Sequence, residues 1–209
     1  MTSKKIEIVR VADQAVLKAE LVTGLRPEDL IDIDRQWLAL RQRVVRRLNN
    51  AGVPPERWPE SSGWNWVKKS AALKLMAIRG FGIRIDERWI GVSMINVAQF
   101  TARLAPDQQK PLVYLEFIET APDCWPVKIT GVEPEFGGCG VQMLRQVVFE
   151  SLDEGFHGRV GLHSLDQSRS FYERHGMTFI EVDAKKENLA YYEFTKETAA
   201  AFLRVGNKI

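Results

Sequence analysis

Pro134-Glu135-Phe136-Gly137-Gly138-Cys139-Gly140-Val141 sets three glycines between a strand-like stretch and a helical one. Glycine takes positive φ and lets a ligand approach the backbone amides closely. The helix that follows, marked by Val141, Leu144, Val148 and Leu152, offers unpaired N–H groups and the positive end of its dipole. The stretch reads as a diphosphate cradle or, more plainly, as a glycine turn packing strand on helix. It is no Walker-A loop, because G-K-[ST] is absent. It is no G-x-G-x-x-G fingerprint either: from Gly138 that motif needs glycine at 143, where Met143 stands.

Upstream of the loop, residues 111–120 (PLVYLEFIET) are rich in β-formers and predict a strand. Residues 127–132 form a short apolar piece between prolines and the loop, a loop or a bulged strand end. Residues 76–86 and 88–97 predict two strands turning at Asp86-Glu87. Leu30, Ile33, Trp37, Leu40, Val44 and Leu48 recur at steps of three and four, one face of a helix opened by Pro27. Residues 6–11 predict a first strand, and 12–26 give no clear signal. Residues 64–75 predict a second helix, with Trp64, Val67, Ala71 and Leu75 on one face.

Downstream, 159–163 alternates as a strand, 168–175 predicts a short helix ended by Gly176, and 178–182 with 189–194 predict a hairpin. The order implies a mixed, mostly antiparallel sheet with helices on its faces. The strand–helix–strand unit around 112–163 supplies a parallel pair with a right-handed crossover.

The helix after 168 reads Ser168-Arg169-Ser170-Phe171-Tyr172-Glu173-Arg174-His175-Gly176-Met177. One helix and one strand separate it from the glycine loop. P-E-F-x-G-x-G-V followed by F-Y-E-R-H-G-M at this separation resembles the GNAT superfamily of N-acetyltransferases, and an uncharacterised bacterial subgroup of it. The family's loop usually reads P-x-Y/F-R/Q-G-x-G-I/V-G/A, and its later helix Y-E-x-x-G-F. The matching element order extends the resemblance from about Ile6 to Phe194.

The resemblance implies an α/β GNAT-type (acyl-CoA N-acyltransferase) fold in which two parallel strands splay apart around acetyl-CoA. It implies that the loop amides of Phe136, Gly137, Gly138, Cys139, Gly140 and Val141 hold the diphosphate. It gives the pantetheine arm to Phe117, Ile118 and Thr120, with 127–132 as a competing register, and places Phe171 beside the cofactor. Tyr172 matches the tyrosine that commonly protonates the departing thiolate; packing beside Phe171 is its plainer role. Where the family carries Arg or Gln, this chain has Gly137.

An amine arriving as ammonium must lose a proton. Glu116 and Glu119 lie in an otherwise apolar strand, so one of them could face the cleft as base, and burial would raise its pKa toward a useful range. Both could instead be solvent-facing. His163 is a further candidate, or a structural histidine. Cys139 reads as a small filler, since direct attack needs no covalent intermediate. Trp64 and Trp66 could line the acceptor pocket or anchor their helix.

Composition is close to that of an ordinary globular protein. At about 150 residues per domain, 209 residues predict one domain, 1–209, with a C-terminal helix at about 195–204 as an extension. Hydrophobic residues make up 45% and charged residues 27%, which excludes a disordered chain. Two cysteines, Cys124 and Cys139, suit a reducing compartment and offer no metal site. A net charge of +2 gives little support to nucleic-acid binding, including modification of an aminoacyl-tRNA. No stretch reaches the length of a membrane span, and the N-terminus lacks an apolar signal core of about 7–15 residues, so a cytoplasmic location is expected.

The expected activity is acetyl transfer from acetyl-CoA, without a metal, to a primary amine of a small molecule or a protein, by direct attack in a ternary complex. The alternative is a binding module that holds a CoA thioester or a protein without turnover. A homodimer is an expectation by analogy with the family.

Overall fold

In a computed structural model describing residues 1–205, the apolar stripe of residues 30–48 becomes α1, Pro27–Asn50. Leu30, Ile33, Trp37, Val44 and Leu48 are buried along one face. Pro27 takes the first turn, where its missing N–H costs nothing. The Asp29 carboxylate accepts the Arg26 N–H at 2.8 Å and ties down the start. Past Asn50 the chain turns away at Gly52, whose φ is +70°.

The chain divides into two compact units. The first comprises Met1–Ser93 and Ile118–Met143. It holds α1 and the antiparallel strands β1 (Thr2–Arg10), β2 (Ala15–Thr23), β3 (Ile78–Ile85) and most of β4 (Arg88–Asn96). The β3–β4 hairpin turns at Asp86-Glu87 as predicted. α1 is pinned to β4 by Trp37 Nε1–H on Trp89 O (2.8 Å) and by Trp89 N–H on Gln36 Oε1 (3.0 Å).

The second unit comprises Met94–Phe117 and the chain from Leu144 onward. It holds most of β5 (Val113–Thr120), then β7 (Val160–Ser164), β9 (Leu189–Phe194) and β8 (Thr178–Asp183), in that spatial order. α4 (Cys139–Asp153) enters it at Leu144, and α5 (Arg169–Arg174) and α6 (Lys196–Val205) complete it. β5 and β7 are parallel, and β7, β9 and β8 are antiparallel. This is a mixed α/β sheet flanked by helices, with one parallel pair. Of the expected 1–209 span, residues 206–209 lie outside the described residues.

Four local readings change. Residues 15–23 are a full strand, β2, although 12–26 gave no clear signal. The predicted helix at 64–75 is broken into α2 (Trp66–Ser70) and a 3-10 turn, Ala71–Lys74. Asn65 Oδ1 accepts the Lys68 N–H at 2.7 Å and so fixes the start at Trp66. Residues 127–132 are no strand. α3 (Val127–Thr130) forms there because Ile129 and Thr130 N–H both fold back on Pro126 O (2.9 and 3.1 Å). The competing pantetheine register is therefore removed. The loop's leading residues form a two-residue strand, β6 (Phe136–Gly137), paired with Val9 and Arg10 of β1.

Candidate active site

In the first unit, the glycine loop is built onto the chain that leaves β5. Ala121 N–H reaches Ile90 O, and Glu135 N–H reaches Asp123 O, at 3.0 and 2.9 Å. Arg88 closes this loop on itself. Its guanidinium holds Asp123 at 2.5 Å and both oxygens of Glu135 at 2.7 Å, and lies 5.3 Å from the Phe136 ring centre. The hydrogen bond from Arg88 holds the Glu135 carboxyl below the usual carboxylate range. The sequence reading missed Arg88; its partners are 35 and 47 residues away and no local pattern marks them.

Gly138 has a φ of +86°, which a side chain would strain. It turns the chain into α4. The bond from Gln142 N–H to Gly138 O (3.0 Å) is the first of the helix, so the amides of Cys139, Gly140 and Val141 have no intrahelical acceptor. Those amides and the dipole form the kind of cradle that suits an anion. Gly137 is different. A Cβ there would sit 3.7 Å from Val11 Cγ2, in ordinary contact. Cys139 and Cys124 are buried and free. Hydrogen bonding to Cys139 and burial push the Cys124 thiol up, as befits an inert filler.

Glu119 lies in the same unit, only 4% exposed. Its Oε2 accepts Trp66 Nε1–H at 2.6 Å and stands 3.8 Å from Arg41 Nη2. Asp34 Oδ1 accepts the Trp66 N–H at 2.8 Å and lies 3.9 Å from Arg41 Nη1. Trp66 thus covers both carboxylates. Burial raises the Glu119 carboxyl to about 7, against the pull of Arg41 and Trp66. Glu119 Oε1 and Arg41 Nε are buried with no hydrogen-bond partner among the described residues. Trp66 therefore has an anchoring role here. Arg41 and Asp34 were legible only as polar interruptions of an apolar helix stripe.

The second unit carries the fork. Its parallel ladder pairs Val113 with Val160, Tyr114 with Gly161 and Leu115 with Leu162, and then stops. Glu116 and His163 are the first residues past it. Glu116 is half-buried, with Asn96 Nδ2–H at 3.4 Å from Oε1. The Tyr114 hydroxyl lies 2.7 Å from His163 Nδ1, and His163 Nε2 lies 3.2 Å from Asp183 Oδ2. Arg103 pairs with Glu181 and Asp183 and stacks 3.9 Å over the Tyr191 ring. Its own N–H and that of Leu104 bind the buried Glu193 carboxylate.

Tyr172 sits on α5, which ends at Gly176, φ +88°. Its ring lies 6.2 Å from that of Tyr192, whose residue pairs with Leu162 at the end of the ladder. Phe171 meets it edge-on at 5.2 Å. Burial pushes the Tyr172 phenol up, and its hydroxyl makes no hydrogen bond among the described residues. Of the predicted site residues, Ile118, Glu119, Thr120 and the loop 136–141 fall in the first unit. Glu116, Phe117, Phe171 and Tyr172 fall in the second.

Solved structures with a similar fold include a GNAT-family acetyltransferase from Listeria monocytogenes. It is 13% identical over 90% of this chain and 99% of that one, with a TM-score of 0.52. Aminoglycoside acetyltransferase AAC(6')-Ib, solved with coenzyme A and kanamycin, is 13% identical over 86% and 96%, with a TM-score of 0.52. A bacterial toxin is 12% identical over 70% and 83%, with a TM-score of 0.50. No family model and no curated protein matches the chain in sequence. At these identities the likeness is one of fold: the chain has the fold of the GNAT acetyltransferases.

Proposed function

We propose that the protein transfers the acetyl group of acetyl-CoA to a primary amine by direct attack. The start of α4 carries this reading. Behind Gly138, held at φ +86°, three consecutive amides stand free of the helix ladder on a fold shared with acetyltransferases. In this reading the amides of 138–141 and the α4 dipole hold the diphosphate without the family's Arg or Gln. β5 past the ladder, at Phe117, Ile118 and Thr120, pairs with the pantetheine arm. The amine nitrogen attacks the thioester carbon; the C–N bond forms, the C–S bond breaks, and Tyr172 gives its phenolic proton to the thiolate.

Glu116 is the carboxylate on the open side of the fork and draws in the ammonium form of the acceptor. Burial raises the Glu119 carboxyl to about 7, but Trp66 closes over it, so service as a base requires that indole to move. Gly137 favours the second reading, a thioester-binding module without turnover, because it removes one charge partner of the diphosphate.

Thiol release from acetyl-CoA with ethanolamine, spermidine, lysine and kanamycin tests the proposal. Turnover with at least one amine is expected, falling about 10²-fold in Tyr172→Phe. Tight acetyl-CoA binding with no turnover of any amine would favour the binding module.

A further inference from the structure

We infer that Tyr114, His163 and Asp183 form a proton relay at the apex of the fork, which takes the proton released as the acceptor attacks; this rests on the acyl-transfer reading. The three groups are in line. Tyr114 O–H meets His163 Nδ1 at 2.7 Å, and His163 Nε2 meets Asp183 Oδ2 at 3.2 Å. The carboxylate can only accept from Nε2–H, so Nδ1 is the basic nitrogen and takes the phenolic hydrogen. This is the hydroxyl–imidazole–carboxylate order of a nucleophile triad, with a phenol in place of serine.

Position supports the role. His163 and Glu116 are the first residues beyond the β5–β7 ladder, and Tyr114 and Glu116 alternate onto one face of β5. Two residues of extended strand set their Cα atoms about 7 Å apart, and the Glu116 charge acts on the Tyr114 phenol, so an amine drawn to Glu116 comes within reach of the Tyr114 oxygen. The proton balance closes. The attacking N–H breaks as a new O–H forms on Tyr114. The original Tyr114 hydrogen moves to His163 Nδ1, giving imidazolium beside the Asp183 carboxylate.

Among the charged neighbours of His163, Asp183 favours the imidazolium that the transfer forms, while Arg103 and Lys186 oppose it and favour a neutral resting state. Burial, with Arg103 and Lys186 nearby, keeps the imidazole below its ordinary pKa and hence neutral at rest. Asp183 is held ionised by the Lys185 N–H (2.9 Å) and by His163 itself. The Tyr191 ring lies 4.7 Å from the imidazole, tilted by 46°, with its hydroxyl committed to Glu193 at 2.8 Å. Burial and the charge of Glu116 push the Tyr114 phenol up, so a free tyrosinate is disfavoured and the two transfers must run together.

The test uses Tyr114→Phe, which keeps the ring stacked on Phe100 (4.1 Å), and Asp183→Asn, at a partly exposed strand end. Turnover of acetyl-CoA is followed with the best amine of the panel above and with water alone as acceptor, from pH 5 to 9. Acetyl-CoA affinity and thermal midpoint are measured alongside. The relay requires kcat to fall about 10²-fold in both variants with both acceptors, with acetyl-CoA affinity within twofold. It also requires the acid limb of the wild-type profile, where His163 protonates, to vanish in Tyr114→Phe. A lowered thermal midpoint with kcat and the acid limb unchanged overturns the relay and leaves acyl transfer standing. Failure of the unaltered protein to bind acetyl-CoA overturns the acyl-transfer reading and the relay with it.

Discussion

Tyr172 and Tyr114 are both buried phenols, yet their surroundings differ in a way that suits the two different proton transfers proposed for them. The Tyr172 hydroxyl has no partner among the described residues and is free to give its proton away. That of Tyr114 is already committed to an imidazole backed by a carboxylate. Tyr172→Phe should therefore lower kcat without moving the acid limb of the pH profile, whereas Tyr114→Phe should remove that limb. Steady-state profiles of the two variants check this. Glu119 supplies a stability prediction. Its carboxyl titrates near 7 in the fold, above its ordinary 4.5, so the folded state holds the proton more tightly than the unfolded chain. Its contribution is full below about 4.5 and is lost as pH rises through about 7, on the order of 3 kcal/mol. Urea unfolding at pH 5 and pH 8 should show a smaller difference in Glu119→Gln than in the wild type. An equal difference in both would mean that Glu119 ionises normally.

The glycine loop and the start of α4 separate two kinds of glycine. Gly138 needs its positive φ, so Gly138→Ala should cost about 1–2 kcal/mol of strain and weaken acetyl-CoA binding about tenfold or more. Gly137→Ala has room for its Cβ and should leave both within experimental error. Thermal melts and acetyl-CoA titrations of the two variants distinguish these outcomes. Several elements were legible because each carries its own pattern. α1 has an apolar face at helical spacing and a proline start, and the β8–β9 hairpin has two alternating runs around a polar turn. β2 was not legible, because its alternation is blurred: Val16 is apolar yet exposed, Leu17 is only partly buried, and Leu21 and Val22 are buried side by side. α3 was hidden because Val127–Thr130 is four residues, too short for periodicity to tell helix from strand.

For the molecule as a whole, the order of elements and two motifs were enough to predict the mixed sheet and its parallel pair. The motifs also marked the glycine loop and Tyr172 as candidates. They could not name Arg88, Arg41, Tyr114 or Asp183, whose contacts with Glu135, Glu119 and His163 span 20 to 78 residues of sequence and form only through strand register and helix packing. His163 shows the limit well. As a lone histidine at a strand end it was a candidate base or a structural histidine, with no partner in view. Only the ladder that pairs Tyr114 with Gly161, two residues before it, reveals what it touches. The roles proposed for the loop amides and for both tyrosines all require acetyl-CoA binding. Calorimetric titration of the protein with acetyl-CoA, with CoA as comparison, tests this most directly. Saturable heat is expected, with a dissociation constant of about 1 μM, near −8 kcal/mol. No heat at two temperatures, with ligand raised to about 1 mM, would contradict it.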